Sequence, residues 1–248
     1  MNSINITWLW PDILNLHGDR GNVMALEHIA GKMGLQTTVN KIVNYGDPID
    51  FENTDIILMN PGEFKSIEYI INALSRSQAE LDSYIASGKV ILTVGTTGAA
   101  FGRSIERLDG SRMAGLGYLD MECRERDSIV GDDLIMHLRD YDFDMNGSQI
   151  QVMDTYLHSD IALADVIYGY GNHSYEEGHE GARYKNLFFT NMLGPVLVKN
   201  PWFTQALIQE ILRVRGESAP KTLGDADFNL EYQSMECIRR YNETKANR

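Results

Sequence analysis

The chain has 248 residues, of which 43% are hydrophobic and 23% are charged, with a formal net charge of −13 and two cysteines. This composition is typical of a globular protein with one large core, and it argues against a disordered chain, a disulfide framework and a multi-cysteine metal site. The acidic charge predicts a surface that repels phosphate backbones, so nucleic acid is not expected as a partner.

Membrane and export signals are not evident in the sequence. No apolar run approaches the roughly 20 residues that cross a bilayer. The first residues, "MNSINITWLWPDI", lack the basic start and the apolar stretch of a signal peptide. We therefore expect no membrane span and a cytoplasmic location.

The first half of the chain alternates short apolar runs with helical patterns. The predicted strands are 4–10, 36–43, 55–60 and 89–94, and the predicted helices are 23–34 and 64–88. Strands that alternate with helices pair in parallel through right-handed crossovers. The predicted fold class is therefore α/β, with an open, mostly parallel sheet flanked by helices. Ligands of such a sheet gather at the carboxyl ends of its strands.

Beyond residue 115 the pattern changes to extended segments separated by glycine-rich turns, which predicts a more strand-rich C-terminal half. These segments are 117–125, 133–143, 148–156, 164–171 and 181–192. A final helix is predicted at 201–216, beginning with a proline at a favoured first-turn position. We expect a single domain at 1–216 and a polar tail at 217–248 that is loosely docked or disordered.

Three stretches of the sequence resemble class I glutamine amidotransferases. They are "WLWPDILNLHGDRGNVMAL" at 8–26, "GLGYLDMECRERDSIVGDD" at 115–133 and "GYGNHSYEEGHEGARYKNLFFTNMLGPVLVKNP" at 169–201. All three are similar to the GatD-type glutaminase subunits of lipid II isoglutaminyl synthase and, more distantly, to the amidotransferase domain of cobyric acid synthases. The resemblance covers residues 4 to about 214. It implies an α/β amidotransferase fold in a family that hydrolyses glutamine to glutamate and ammonia for a partner ligase.

The resemblance assigns the catalytic positions to residues that cannot perform the chemistry. The family needs a cysteine nucleophile on the turn after the fourth strand, a histidine base and N–H donors for the oxyanion. The turn here reads "TVGTTGAAFG", and matching Val94 and Gly102 to the family's V-C-G-G-Y-Q-x-x-G places Gly95 on the cysteine. The family's T-Y-L-H-G-P corresponds to "TNMLGP", which puts Leu193 in the place of the histidine.

The oxyanion loop departs from the family as well. The usual G-G-G-Q-D is here "NPGEF" at 60–64, in which Pro61 has no N–H to donate while Gly62 keeps one. A further family element, E-N-H, aligns loosely with "DTY" at 154–156, so its histidine is also missing. Loss of one member of a catalytic unit costs on the order of a millionfold in rate. The resemblance therefore implies a degenerate subunit, a pseudoenzyme that needs no cofactor and binds a MurT-like Mur ligase partner.

An enzymatic alternative remains open at this stage. Thr96, Thr97 or Cys123 could be a repurposed nucleophile in an active amidotransferase or hydrolase of the cell-wall or cobyric-acid type. The competing interpretation is that the two threonines cap the following helix and that Cys123 is a buried strand thiol. If the pocket persists, it would hold a glutamine-like small molecule, and its residues would include Gly62, Thr96, Thr97 and Arg126.

Three other features have two interpretations each. Arg124 and Arg126 lie where the resemblance places an arginine that handles glutamine, and either could instead be a surface charge. The segment from His173 to His179 holds two histidines and two glutamates, but its spacing fits neither a helix face nor a strand face, so we expect a solvated loop and no metal site. The "HGDRGN" turn at 17–22 stands at the rim where ligands collect, and it predicts a role in folding or partner contact.

Overall fold

The computed structural model of the chain describes residues 3–246 and contains two sheets. The first sheet consists of β1 (Ser3–Leu9), β2 (Gln36–Ile42), β3 (Ile56–Met59), β4 (Val90–Val94), β11 (Ala182–Tyr184) and β12 (Leu187–Thr190), in the spatial order β11-β12-β4-β3-β1-β2. All neighbours in this sheet are parallel except β11, which is antiparallel to β12. The predicted α/β class with a mostly parallel sheet is therefore confirmed.

Helices cover both faces of the first sheet, which explains why every residue of β3 and β4 is buried. These helices are α1 (Arg20–Lys32), α2 (Ser66–Ser75), α3 (Gln78–Ala86), α4 (Val196–Lys199) and α5 (Pro201–Val214). Alternate strand residues point to opposite faces: Leu58 and Leu92 share one core cluster with α1 and α5, whereas Ile57 and Ile91 share the other with α2 and α3.

The second sheet confirms the strand-rich C-terminal half. It consists of β5 (Ser104–Glu106), β6 (Arg112–Ala114), β7 (Met121–Leu138), β8 (Asp144–Leu157), β9 (Ala164–Tyr168), β10 (His179–Glu180) and β13 (Met192–Leu193). Its pairs are antiparallel apart from β5 with β7. The chain passes from one sheet to the other within a few residues, because β13 follows β12 directly and pairs with β8.

Several element boundaries differ from the sequence prediction. The helix predicted at 64–88 is two helices, because Ser77 has φ −117° and ψ 38° and interrupts the helical backbone. The segments predicted at 117–125 and 133–143 lie largely on one long strand, β7, whose register shifts at a bulge between Glu125 and Val130. Such a bulge adds unpaired residues and breaks the alternation from which a continuous strand is recognised. The segment predicted at 181–192 is divided by a turn at Lys185, where φ is 53°.

The residues predicted as a polar tail contain an 18-residue helix, α6 (Asn229–Ala246). Tyr232 stacks on Trp202 of α5 with ring centroids 4.4 Å apart. Lys245 pairs with Asp132 of β7 at 3.2 Å, so both ends of α6 contact the rest of the protein. Residues 1–2 of the predicted domain and 247–248 of the predicted tail lie outside the described range. Within residues 3–246, no helix is long and apolar enough to cross a bilayer.

Candidate functional site

Gly95 makes the sharp turn that follows β4 at the carboxyl edge of the first sheet. Its φ of +62° lies in the left-handed region that favours glycine. A 3₁₀ helix, Gly95–Phe101, continues the chain from this turn. A sharp strand-to-helix turn of this kind is how an α/β enzyme exposes a nucleophile above its sheet. Here the turn is formed by a residue with no side chain.

Leu193 faces this turn from the second sheet. A Cβ built on Gly95 would lie 3.6 Å from Cδ2 of Leu193 and 3.0 Å from Cβ of Pro61. Leu193 is buried, and it pairs with Ser148 of β8 as part of β13. The two residues that the resemblance assigns to nucleophile and base are therefore neighbours in space. Neither residue has a side-chain atom that could attack a substrate or accept a proton.

The Thr96 hydroxyl forms two hydrogen bonds with the loop after β3, one as acceptor and one as donor. The N–H of Gly62 donates to Oγ1 of Thr96 at 3.2 Å, and the same hydroxyl donates to the carbonyl oxygen of Gly62 at 2.6 Å. Because the preceding residue, Pro61, has no N–H, Gly62 supplies the N–H of this part of the loop. The structure thus brings Gly62, Gly95, Thr96 and Leu193 together around one turn.

The Thr97 hydroxyl is buried and is also bonded to the protein. It donates a hydrogen bond to the carbonyl oxygen of Val94 at 2.9 Å and lies 2.8 Å from the hydroxyl oxygen of Thr93. The interpretation that Thr96 and Thr97 cap the following helix is wrong in detail. Val94 is the N-cap residue and makes no side-chain cap hydrogen bond. The hydroxyls bind main-chain groups of adjacent segments because the short 3₁₀ turn directs them toward β3 and its loop.

A buried polar cluster that the sequence did not identify joins three segments around the turn. Asn22 of α1 donates through its amide nitrogen to the side-chain oxygen of Asn60 at 3.0 Å and accepts the N–H of Leu197 at 2.9 Å. The one sequence signal that could have identified Asn60 is an asparagine at the end of a buried strand. These two bonds tie the "HGDRGN" turn to the loop after β3 and to α4.

Asp19, in the same turn, is fully buried. Its Oδ2 accepts the N–H of His17 at 2.9 Å, whereas Oδ1 has no hydrogen-bond partner among the described residues. Burial raises the pKa of this carboxyl above its ordinary value, partly offset by the bond from His17. Gly21 packs so closely against Pro195 that a Cβ there would lie 2.6 Å from its ring. One side of the turn is therefore packed inside the protein, whereas His17, Gly18 and Arg20 are exposed.

Arg126 and Arg124 have different surroundings. Nη1 of Arg126 donates to both oxygens of Asp154 at 2.7 and 2.8 Å and to the hydroxyl of Tyr170 at 2.6 Å. Arg124 lies over the ring of Tyr156, 4.4 Å from its centroid, and is half-exposed. Within residues 3–246, the hydrogen-bond partners of Arg126 all belong to the second sheet or its loops.

Cys123 is a core thiol of β7. It is fully buried, lies 3.9 Å from the hydroxyl of Thr155, and packs with the apolar cluster that includes Met121 and Met153. Desolvation raises its pKa to about 12. A thiol in this state is a poor nucleophile. The other cysteine, Cys237, is exposed on α6.

The two histidines of segment 173–179 have different surroundings. His173 stacks on Tyr156 at 4.6 Å and its Nδ1 lies 3.2 Å from the carbonyl of Thr155. Nδ1 of His179 lies 3.1 Å from Arg139 and 3.3 Å from Asp165. Across residues 3–246, no three histidine, cysteine, aspartate or glutamate side chains are grouped so as to hold a metal ion.

Comparison with known proteins gives two close sequence relatives. No family model matches the chain. It is 29% identical over 213 residues to the GatD subunit of glutamine-hydrolysing lipid II isoglutaminyl synthase from Streptococcus pneumoniae, covering 85% of this chain and 81% of the relative. It is also 29% identical over 253 aligned positions to the subunit of the same name from Staphylococcus aureus, covering the whole of both chains.

Solved structures resemble this chain in fold. A crystal structure of a glutamine amidotransferase matches with a TM-score of 0.54 and 12% identity, covering 83% of this chain and 98% of that one. The glutaminase domain of Trypanosoma brucei CTPS with bound acivicin matches with a TM-score of 0.52 and 7% identity, covering 87% and 95%. At such identities the likeness concerns the architecture alone.

Proposed function

We propose that this chain is a degenerate member of the GatD family of class I glutamine amidotransferase-like subunits, that it has no glutaminase activity and that it acts as a binding or structural subunit. Its partner in this proposal is a MurT-like Mur ligase, and its place is the cytoplasm. The relatives are named as subunits of lipid II isoglutaminyl synthase, which supports a role in lipid II amidation.

The observation that carries the proposal is the contact of Gly95 with Leu193. Amide hydrolysis by this family needs a nucleophile on the turn and a proton acceptor beside it. A side chain at position 95 would begin 3.6 Å from Cδ2 of Leu193, but neither residue has a sulfur, oxygen or nitrogen atom in its side chain. Removing one member of such a unit typically lowers the rate on the order of a millionfold. The absence of both supports a protein whose turnover of glutamine is negligible.

Replacement nucleophiles receive little support from their surroundings. The hydroxyl of Thr96 is bonded on both sides to Gly62, and that of Thr97 is 1% exposed. A hydroxyl nucleophile needs an adjacent base, and the residue across the turn is Leu193. Cys123 is fully buried with a pKa near 12. The non-catalytic proposal is therefore preferred to an active amidotransferase or hydrolase.

What remains of the family's architecture supports a structural or docking role. The "HGDRGN" turn is held by Asn22, which bonds to Asn60 and to the main chain of Leu197. The net charge of −13 suits an electrostatic contact with a basic surface of a larger partner. Such a contact would let the subunit bind the ligase without supplying ammonia.

Ammonia release from glutamine tests the proposal. The purified chain, alone and with a co-expressed Mur ligase-like protein, is assayed beside the Streptococcus pneumoniae GatD subunit under the same conditions. We expect no release above a heat-treated sample from this chain and a stable complex with the ligase in gel filtration. Ammonia release comparable to that of the control subunit would overturn the proposal.

Labelling with a glutamine-analogue electrophile separates the alternative enzyme. The adduct is mapped by mass spectrometry after a long incubation with the native protein. We expect none on Thr96, Thr97 or Cys123. A stoichiometric adduct on one of these residues would instead identify a repurposed nucleophile.

A further inference from the structure

The loop after β3 is fixed on three sides. Thr96 exchanges two hydrogen bonds with Gly62, at 3.2 and 2.6 Å. A Cβ built on Gly62 would lie 2.4 Å from Cδ2 of Leu14, so the loop is pressed against the segment that follows β1. Asn60, at the start of the loop, is bonded to Asn22 of α1 at 3.0 Å. The loop therefore has little freedom to move away from the turn.

The Thr96 hydroxyl uses both main-chain polar groups of Gly62. It accepts from the N–H of Gly62 and donates to the carbonyl of the same residue, which is what a primary amide or a hydroxyl of a ligand would do. Thr96 is 9% exposed and Gly62 is buried, so neither group is open to bulk water. The Gly62 N–H is thus satisfied from within the chain, and the preceding residue, Pro61, offers no N–H in its place.

We propose that Thr96 is an internal latch: its hydroxyl closes the turn against the loop at Gly62 and keeps the vestigial site from binding glutamine or a similar amide. This inference rests on the proposed function but goes beyond it, because a non-catalytic subunit could still bind glutamine. A ligand carbonyl that sought the Gly62 N–H would first have to break both bonds of Thr96. Buried groups left unpaired in that exchange would weaken ligand binding by roughly one to two orders of magnitude.

The rate of amide hydrogen exchange at Gly62, measured by NMR, reports directly on the hydrogen bond between Gly62 and Thr96. Thr96→Ser keeps the hydroxyl, Thr96→Val keeps the volume without the hydroxyl, and Thr96→Ala removes both. We expect Gly62 to exchange at least about fivefold faster in the Val and Ala variants than in the wild type, and close to the wild-type rate in the Ser variant. Equal exchange in all four proteins would overturn the latch. If the Ala variant does not fold, the Val and Ser pair carries this comparison.

A glutamine titration of the same samples tests whether the latch excludes the ligand. We expect no glutamine-dependent shift of the Gly62 amide in the wild type or the Ser variant at millimolar glutamine. We expect a saturable shift in the Ala variant, where the space and the N–H are both released. A shift in the wild type, or none in a folded Ala variant, would contradict the proposal.

The latch and the proposed function can be disproved independently of each other. Glutamine that binds the wild type without release of ammonia would remove the latch and leave the non-catalytic subunit intact. Ammonia release would remove the non-catalytic subunit whatever the exchange rate of Gly62.

Discussion

Leu193 lies against Gly95, with Cδ2 of the leucine 3.6 Å from where a side chain at position 95 would begin. The two residues come from different parts of the fold, since Gly95 directly follows β4 of the first sheet and Leu193 belongs to β13 of the second. Neither residue carries a sulfur, oxygen or nitrogen atom in its side chain. The conformational role of this turn can be measured.

A side chain at position 95 is expected to destabilise the fold. Gly95→Ala places a Cβ in a left-handed conformation and 3.0 Å from Cβ of Pro61. We expect a loss of about 1 to 3 kcal/mol in the free energy of unfolding. Gly31→Ala is the matched control, because a Cβ at that helical position meets nothing within 4 Å. Urea denaturation should show no loss there, or a gain of up to about 1 kcal/mol. Equal stability of the two variants would contradict this account of the turn.

Thiol reactivity is expected to separate the two cysteines. Cys123 is buried with its pKa raised to about 12, so roughly one molecule in ten thousand carries its thiolate at pH 8. Cys237 is exposed. A chromogenic disulfide reagent should modify one thiol per native chain within minutes and two in denaturant. Cys237→Ser should abolish the fast reaction, and rapid native labelling of Cys123 would disprove its burial.

Glu180 is expected to make stability depend on pH. It is fully buried, accepts hydrogen bonds from the Thr190 hydroxyl and the Asn191 N–H, and has its pKa raised to about 7 by desolvation. The folded state therefore holds its proton more tightly than the unfolded state, whose glutamate titrates near 4.5. The contribution of Glu180 to stability should be greatest below that lower value and should fall as the pH rises toward 7, by up to about 1.4 kcal/mol per unit.

Glu180→Gln isolates this contribution. The carboxamide cannot ionise, so the slope of the free energy of unfolding between pH 5 and 7 should become flatter than in the wild type. Glu27→Gln, at an exposed position of α1, is a suitable control because it removes one carboxylate without touching the surroundings of Glu180. An unchanged slope in the Glu180 variant would show that another group governs this pH range.

Arg126 is expected to be a structural residue of the second sheet. Arg126→Ala removes three hydrogen bonds to Asp154 and Tyr170 and leaves the Asp154 carboxylate, with 15% side-chain exposure, bonded to the Tyr170 hydroxyl without a cation. The expected loss is about 1 to 3 kcal/mol. Arg124→Ala removes a half-exposed guanidinium whose nearest carboxylate, Glu106, is 3.8 Å away, and should cost less than about 1 kcal/mol. Thermal melts of both variants make the comparison, and a reversed order would refute it.

Local patterns in the sequence predicted the α/β class, the four parallel strands of the first half and the strand-rich second half. Buried runs such as Val90–Val94 are recognised as strands because four of the five side chains are apolar and three of these are β-branched. The break at Ser77 was not predictable, since the apolar spacing on both sides of it fits one continuous helix. The bulge after Glu125 hid a long strand in the same way, because unpaired residues disturb the alternation.

By itself the sequence determined which atoms are missing: glycine at 95, leucine at 193 and proline at 61 carry no group able to attack, accept a proton or donate an N–H. Tertiary structure alone decided where the surviving polar groups go. Thr96 binds Gly62 across 34 positions of sequence, and Asn22 binds Asn60 across 38. No local periodicity encodes such pairs, because they form only when the ends of separate strands and helices meet at one edge of the sheet.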